Sequence, residues 1–201
     1  MGEAAPEPLA EIAAAWEEAR RRGDAYADVC FLATVTAEGR PAMRALVLRD
    51  IDAQGVALLL NATSPKWQQL SARGEAALLL LWRSVQRQYR IFGPVVPMPP
   101  ARLQAYWARK GYASKLLEHY YGAFRGQSQP LPSRDALLQG IAALQQRYPD
   151  PEAVPLPETL RGVYLVPTEV ELWHGSPADL LHERRLCLRT PQGWRCQLLV
   201  P

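Results

Sequence analysis

Apolar residues recur at Leu9, Ile12, Ala13 and Trp16, a spacing that gathers them on one helical face and predicts an amphipathic helix over residues 8–22. Arg20, Arg21 and Arg22 fall at its C-terminal end, where the helix dipole favours cations, and Gly23 stops it. The pattern then turns strand-like. Residues 29–36 and 41–49 read as two strands joined by the turn 37–40. A polar link, residues 50–55, leads into the apolar run 56–60. A short helix is expected over residues 64–71, with Ser64 as cap and Pro65 in the first helical position. Residues 76–82 and 86–96 predict two long strands. From Pro99 onward, three helical stretches (99–109, 114–124 and 133–148) are separated by Gly111 and the loop 125–132. A proline-rich connector, 149–157, precedes strand patterns at 163–173, 184–188 and 194–199, the last two joined by the turn 190–193.

About six or seven mostly antiparallel strands with helices inserted as a block predict a mainly β, α+β fold: a closed or nearly closed barrel decorated by helices. Residues 1–7 read as a loose tail. The expected organisation is a tail and helix over 1–27 and one domain over 28–201, with its helical insertion at about 99–148. No GxGxxG or GxxxxGK[ST] loop occurs, which argues against a doubly wound nucleotide-binding sheet.

Composition narrows the classes. The 201 residues are 48% hydrophobic, enough for a real core and too much for general disorder. Cys30, Cys187 and Cys196 are odd in number and lack metal-ligand spacing, which excludes a disulfide scaffold. Three unpaired thiols are expected, in keeping with a reducing cytoplasm. No apolar run reaches the ~18 residues of a membrane span, and no signal pattern opens the chain. Lys and Arg exceed Asp and Glu by 23 to 20. So small a surplus does not call for nucleic acid and suits an anionic small ligand.

Some side chains are out of place in this pattern. On the second strand Arg44, Leu46 and Leu48 share one face, so Arg44 must either reach solvent at the sheet rim or meet an anion. Ser64–Pro65–Lys66 sits where a strand feeds a helix, a junction that offers exposed N–H groups and a cation to an anion, although ordinary capping accounts for Ser64 equally well. Tyr106 and Lys110 are four apart on an expected helix, and Ser114 is placed to begin the next one. Together they could clamp a phosphate, or simply form a solvated face with a helix cap. Of the three histidines, His182 in LLHERR is the best chemical candidate. No His pairs with Glu or Cys at metal-ligand spacing, so no metal is expected, and no G-x-S-x-G elbow supports nucleophilic hydrolysis.

The blocks LATVTAEGRPAMRALVLRD, NATSPKWQQL, LLLLWRSVQRQYRIFG, the Tyr106–Ser114 segment, GQSQP, VPLP, VELWHG, LLHERR and LLVP occur in this order. Their order and spacing resemble the pyridoxamine 5′-phosphate oxidase family of flavin enzymes over residues 28–201. The resemblance implies a homodimeric split β-barrel with FMN at the dimer interface. Arg44 and Lys66 would hold the FMN phosphate, and Gln127 and Ser128 would reach the cofactor from the partner chain. Gln88 would bond the polar edge of the flavin ring, Trp173 and Arg184 would complete its surroundings, and Leu59 and Leu60 would contribute backbone contacts. The substrate phosphate would lie among Arg49, Tyr106, Lys110 and Ser114, with His182 and Arg184 near the reacting centre. Departures from the family pattern are Leu180 in place of an Arg against the substrate ring, Pro65 in place of an Arg beside Lys66, and Leu160–Arg161–Gly162 in place of a tryptophan-glycine-glycine segment.

The resemblance implies oxidation of pyridoxamine or pyridoxine 5′-phosphate to pyridoxal 5′-phosphate with molecular oxygen as acceptor, a step of vitamin B6 metabolism. Leu180 motivates an alternative, a flavin oxidoreductase of the same family acting on another aromatic such as a phenazine-type precursor. A non-catalytic binder of flavin or pyridoxal phosphate is a third expectation. No membrane or nucleic-acid partner is expected.

Overall fold

The computed structural model describes residues 7–201, so the expected tail falls, apart from Glu7, outside the described residues. Helix α1 (Pro8–Arg21) buries Leu9, Ile12, Trp16 and Ala19, the face that the apolar spacing predicts. Strands β1 (Val29–Val35) and β2 (Pro41–Val47) form an antiparallel hairpin. Its turn contains Gly39 at φ +79°, a left-handed conformation that glycine adopts without steric cost.

Strands β3 (Asp50–Asp52) and β4 (Gly55–Asn61) follow, then α2 (Pro65–Arg73), β5 (Glu75–Trp82) and β6 (Arg87–Pro97). The helical block is α3 (Pro100–Ala108), α4 (Tyr112–Ala123) and α5 (Arg134–Arg147). Strands β7 (Leu160–Leu165), β8 (Glu169–His174), β9 (Glu183–Thr190) and β10 (Gly193–Leu199) complete the chain. Seven strands lie in the order β10-β9-β8-β6-β5-β1-β2, while β3 pairs with β4, and β7 with β4 and β6. The fold is mainly antiparallel β with inserted helices, as the pattern predicts.

The expected six or seven strands are ten among the described residues. One addition is β4, the apolar run 56–60 itself, and a second is β3, since the polar link pairs Asp50 with Ala57 and Ile51 with Val56. Another comes from dividing the 163–173 stretch at Pro167, which has no N–H to continue a ladder. Around it the Val166 and Thr168 amides donate to the carbonyls of Pro94 and Phe92. Gly93 permits that approach, because a Cβ there would stand 2.0 Å from the Val166 carbonyl oxygen.

The described chain divides into two compact units. The first comprises the segments up to Leu58, Arg73–Val96 and Tyr164–Pro201. Its core lines one face of the sheet, where Leu32, Leu78, Ile91, Val170 and Cys187 follow one another in register across β1, β5, β6, β8 and β9. All five are buried. Trp82 and Tyr89 pack edge to face with centroids 5.7 Å apart.

The expectation of three unpaired thiols is overturned at the end of this row. Cys196 of β10 opposes Cys187 of β9, and the two are joined in a disulfide, so only Cys30 remains a free thiol. Counting cysteines could not reveal this, because the pairing depends on hairpin register rather than on sequence spacing. The thiol argument for a reducing compartment loses its basis.

The second unit comprises Leu59–Ala72 and Pro97–Val163. Trp107, Val154 and Leu160 form one buried cluster in it and Leu116, Tyr120 and Leu144 another. The proline-rich connector has few amides but keeps its carbonyls, and side chains of the helices satisfy them. Trp107 Nε1 donates to Val154, Lys115 Nζ to Pro151, and His119 Nε2 to Pro155, at 2.9, 3.2 and 2.8 Å. Buried Lys115 also lies over the Trp107 ring.

Candidate functional site

Three of the predicted flavin residues form a lateral row in the first unit. Gln88 of β6 pairs with Trp173 of β8, and Trp173 with Arg184 of β9. Side chains paired across antiparallel strands share a face, so the three project together, on the face opposite Ile91 and Val170. All are half-buried. The Arg184 Nη2 donates to Glu171 Oε1 at 2.9 Å, and Glu171 also accepts from Arg90 at 2.8 Å, so one carboxylate holds two guanidiniums on this face.

His182 joins the row from the loop before β9. Its ring lies 4.8 Å from that of Trp173, and its Nδ1 accepts from the Ser176 amide at 3.1 Å. With Nδ1 accepting, the proton of the neutral ring resides on Nε2, which is left as a donor. The loop is fixed by Asp179, whose Oδ1 accepts from Ser176 Oγ at 2.5 Å and from the Leu181 amide at 2.9 Å. These bonds hold the Asp179 carboxyl below the usual carboxylate range. Leu180 has a φ of +62° and is 69% exposed.

Arg44 lies elsewhere in this unit. It opposes Leu32 and so shares the buried face of the sheet, opposite to the Gln88–Trp173–Arg184 row. Its Nη1 donates to Thr34 Oγ1 at 2.6 Å and to the carbonyls of Leu32 and Ala42 at 3.3 and 3.1 Å. Neutral acceptors thus receive part of a guanidinium whose pKa burial lowers from its usual value. Arg49, just past β2, is half-buried, and its amide donates to Ala57. A cleft of about 380 Å³ beside α1, lined by Glu11, Arg22, Arg87, Tyr89, His174 and Arg185 among others, contains none of the predicted residues.

In the second unit Lys66 occupies the second position of α2 and is buried. Ser64 caps the helix by accepting from the Trp67 amide at 3.3 Å. The Lys66 ammonium donates to Gln127 Oε1 of its own chain. The Gln127 amide in turn donates to Thr63 Oγ1 at 2.9 Å, and Thr63 to Asn61 Oδ1 at 2.7 Å. Ser128 adopts a φ of +70°. In β4, Leu60 is fully buried, and the partly buried Leu59 side chain packs on the Trp107 cluster.

The phosphate clamp expected at Tyr106, Lys110 and Ser114 is arranged differently from the sequence expectation. Helix α3 ends at Ala108, so Tyr106 and Lys110 do not share a continuous helical face. Helix α4 starts at Tyr112 with Gly111 as N-cap, so Ser114 is its third residue rather than its first. Buried Tyr106 is flanked by Arg102 and Arg109, with the Arg102 Nη2 3.4 Å from its hydroxyl. Lys110 Nζ lies 3.3 Å from Glu118 Oε1 of α4, and Asn61 Nδ2 donates to Glu118 Oε2 at 2.9 Å. Glu118 and Asn61 escaped the sequence reading because a lone acid on a helix carries no signal until its partner is known. Among the described residues, no His, Cys, Asp or Glu cluster is placed to hold a metal, and no helix is long and apolar enough to cross a membrane.

Residues 16–148 match the family model described as pyridoxamine 5′-phosphate oxidase. A pyridoxine/pyridoxamine 5′-phosphate oxidase of Myxococcus xanthus (strain DK1622) is 33% identical over 197 residues, covering 98% of this chain and 92% of the relative. One from Caulobacter vibrioides (strain NA1000 / CB15N) is 36% identical over 196 residues, covering 97% and 85%. The crystal structure of PhzG from Burkholderia lata 383 in complex with tetrahydrophenazine-1-carboxylic acid superposes with a TM-score of 0.86 at 28% identity, over 98% of this chain and 94% of that one. A pyridoxamine 5′-phosphate oxidase-related, FMN-binding protein of Nostoc punctiforme shares the fold, with a TM-score of 0.74 at 23% identity and complete coverage of both chains. The antiparallel sheet is therefore a split barrel of this type, and the chain belongs to the pyridoxamine 5′-phosphate oxidase family.

Proposed function

We propose that this chain is an FMN-dependent oxidase that converts pyridoxamine or pyridoxine 5′-phosphate to pyridoxal 5′-phosphate with molecular oxygen as acceptor. The observation that carries the reading is the row Gln88–Trp173–Arg184, with the His182 ring packed at a tilt against its tryptophan. An amide, an indole and a guanidinium in register offer hydrogen bonds, a flat apolar surface and positive charge, which suit a flavin ring with a polar edge. For the phosphorylated tail, the donor set supplies a buried ammonium at a helix N-terminus, Lys66, and a half-buried guanidinium, Arg44. We therefore assign Arg44, Lys66, Gln88, Gln127, Ser128, Trp173, Arg184 and the main chain of Leu59 and Leu60 to FMN. Arg49, Tyr106, Lys110, Ser114 and His182 are assigned to the substrate.

The chemistry that bound FMN supplies is two-electron oxidation of the substrate's C4′ carbon, with the electrons passed to oxygen to give hydrogen peroxide. The chain's own part is positional. His182, held as an Nε2 donor by Ser176, can orient a substrate oxygen or nitrogen, and Arg184, steadied by Glu171, supplies charge beside the ring. Arg44 and the row occupy opposite faces of the sheet in one chain. A flavin touched by both sets would take them from two copies, which supports a homodimer with the cofactor at its interface.

A second reading keeps the flavin and changes the substrate to another aromatic. Leu180, exposed beside the His182 loop, favours it, as does the likeness to PhzG bound to a phenazine acid. The deciding experiment is reconstitution with FMN, a visible spectrum, and anaerobic titration with pyridoxamine 5′-phosphate. Loss of flavin absorbance supports the first reading. A yellow protein inert to both vitamers but reduced by a phenazine precursor supports the second. Yellow protein reduced by neither would be a binder, and failure to hold FMN overturns all of them.

A further inference from the structure

Lys110 carries a counter-charge that the phosphate-clamp reading does not need. Its ammonium lies 3.3 Å from Glu118, and the two side chains are only 9% and 15% exposed. The carboxylate is fixed from its other oxygen by Asn61. Glu118 follows Ser114 by four residues within α4, so the acid stands one turn from the hydroxyl on the same helical face. A phosphate bound to Lys110 and Ser114 would meet this anion at close range, in surroundings too dry to screen it well.

We infer that Glu118 is a specificity-determining residue. By neutralising Lys110 it lowers the preference of this end of the site for a phosphate dianion over an uncharged hydroxymethyl group, and so admits unphosphorylated substrates of the same ring. This rests on the reading of Lys110 and Ser114 as substrate contacts. Arg102 and Arg109 keep positive charge in the neighbourhood, but both are engaged with the Tyr106 ring. A phosphate is then tolerated rather than demanded.

The test compares affinities of pyridoxine 5′-phosphate and pyridoxine for the FMN-loaded protein by calorimetry, in wild type and in Glu118→Gln. The side-chain amide introduced by this substitution would still accept from Asn61 but would carry no charge. The ratio of affinities in favour of the phosphorylated ligand should rise about tenfold or more in the variant. Glu118→Ala should shift it in the same direction, and thermal melts establish that each variant is folded. An unchanged ratio overturns the proposal. A fallen ratio overturns it too, because Glu118 would then serve to aim Lys110 at phosphate. Absence of binding by either ligand to either folded, yellow protein would instead remove the substrate reading itself, and this proposal with it.

Discussion

The Arg185 guanidinium on β9 donates to both carboxylate oxygens of Glu11 on α1, at 3.1 and 2.9 Å. His174 of β8 approaches the same carboxylate at 2.8 Å. The first helix is thus held to the sheet by charge as well as by its apolar face, which an apolar spacing alone could not convey.

This contact should make stability depend on pH. Burial alone would raise the Glu11 pKa, but hydrogen bonds and charge from His174 and Arg185 outweigh it and bring the group below its usual 4.5. A carboxylate with a lowered folded-state pKa contributes stability above its unfolded value and loses it as pH falls through the folded one. Glu11→Gln should therefore cost about 1–2 kcal/mol at pH 7, after allowance for partial exposure. Urea unfolding at descending pH should show the gap to wild type closing below about pH 4.5. A gap independent of pH would contradict this account.

The cysteines make a countable prediction. Cys187 and Cys196 are bonded, and burial pushes the Cys30 thiol up to about 12. Ellman's reagent should find no reactive thiol in the native protein and one after denaturation. Reduction, or Cys196→Ser, should lower stability by about 2–3 kcal/mol through the loop that the bond closes. Three thiols titrating after denaturation of unreduced protein would show the pair to be open.

Two glycines should respond differently to alanine. At Gly93 an added Cβ meets main chain at 2.0 Å, and the strand crossing at Pro167 would have to move. A loss of more than about 3 kcal/mol is expected there. At Gly39 nothing lies within 4 Å and only the positive φ is strained, so Gly39→Ala should cost about 1 kcal/mol. Chemical denaturation curves of the two variants would rank them, and the reverse order would refute the packing argument.

If the Gln88–Trp173–Arg184 row carries the flavin ring, Trp173→Ala should weaken FMN binding about fivefold or more, an aromatic contact being worth ~1 kcal/mol. His182 would lose the ring it packs against as well. Quenching of FMN fluorescence on titration with apoprotein measures this. Unaltered affinity in a folded variant would take Trp173 out of the cofactor assignment.

Local physics made much of the molecule readable in the sequence. The helix at 8–22, the strand alternations other than the divided 163–173 stretch, and the helix starts at Ser64 and Ser133 depend on neighbours a few residues away, and the structure places them within a residue or two. Arg44 stood out for the same reason, as a charge on an apolar strand face. Sheet partners decided the rest. They turned the polar 50–55 link into β3, set Cys196 opposite Cys187, and aligned Gln88, Trp173 and Arg184 from three distant segments. They also put Arg44 on the opposite face from that row. The Lys110–Glu118 pair and the tether of Glu11 to Arg185 belong to the same class. Side-chain periodicity is a property of the chain itself, whereas register and charge pairing exist only once remote segments meet.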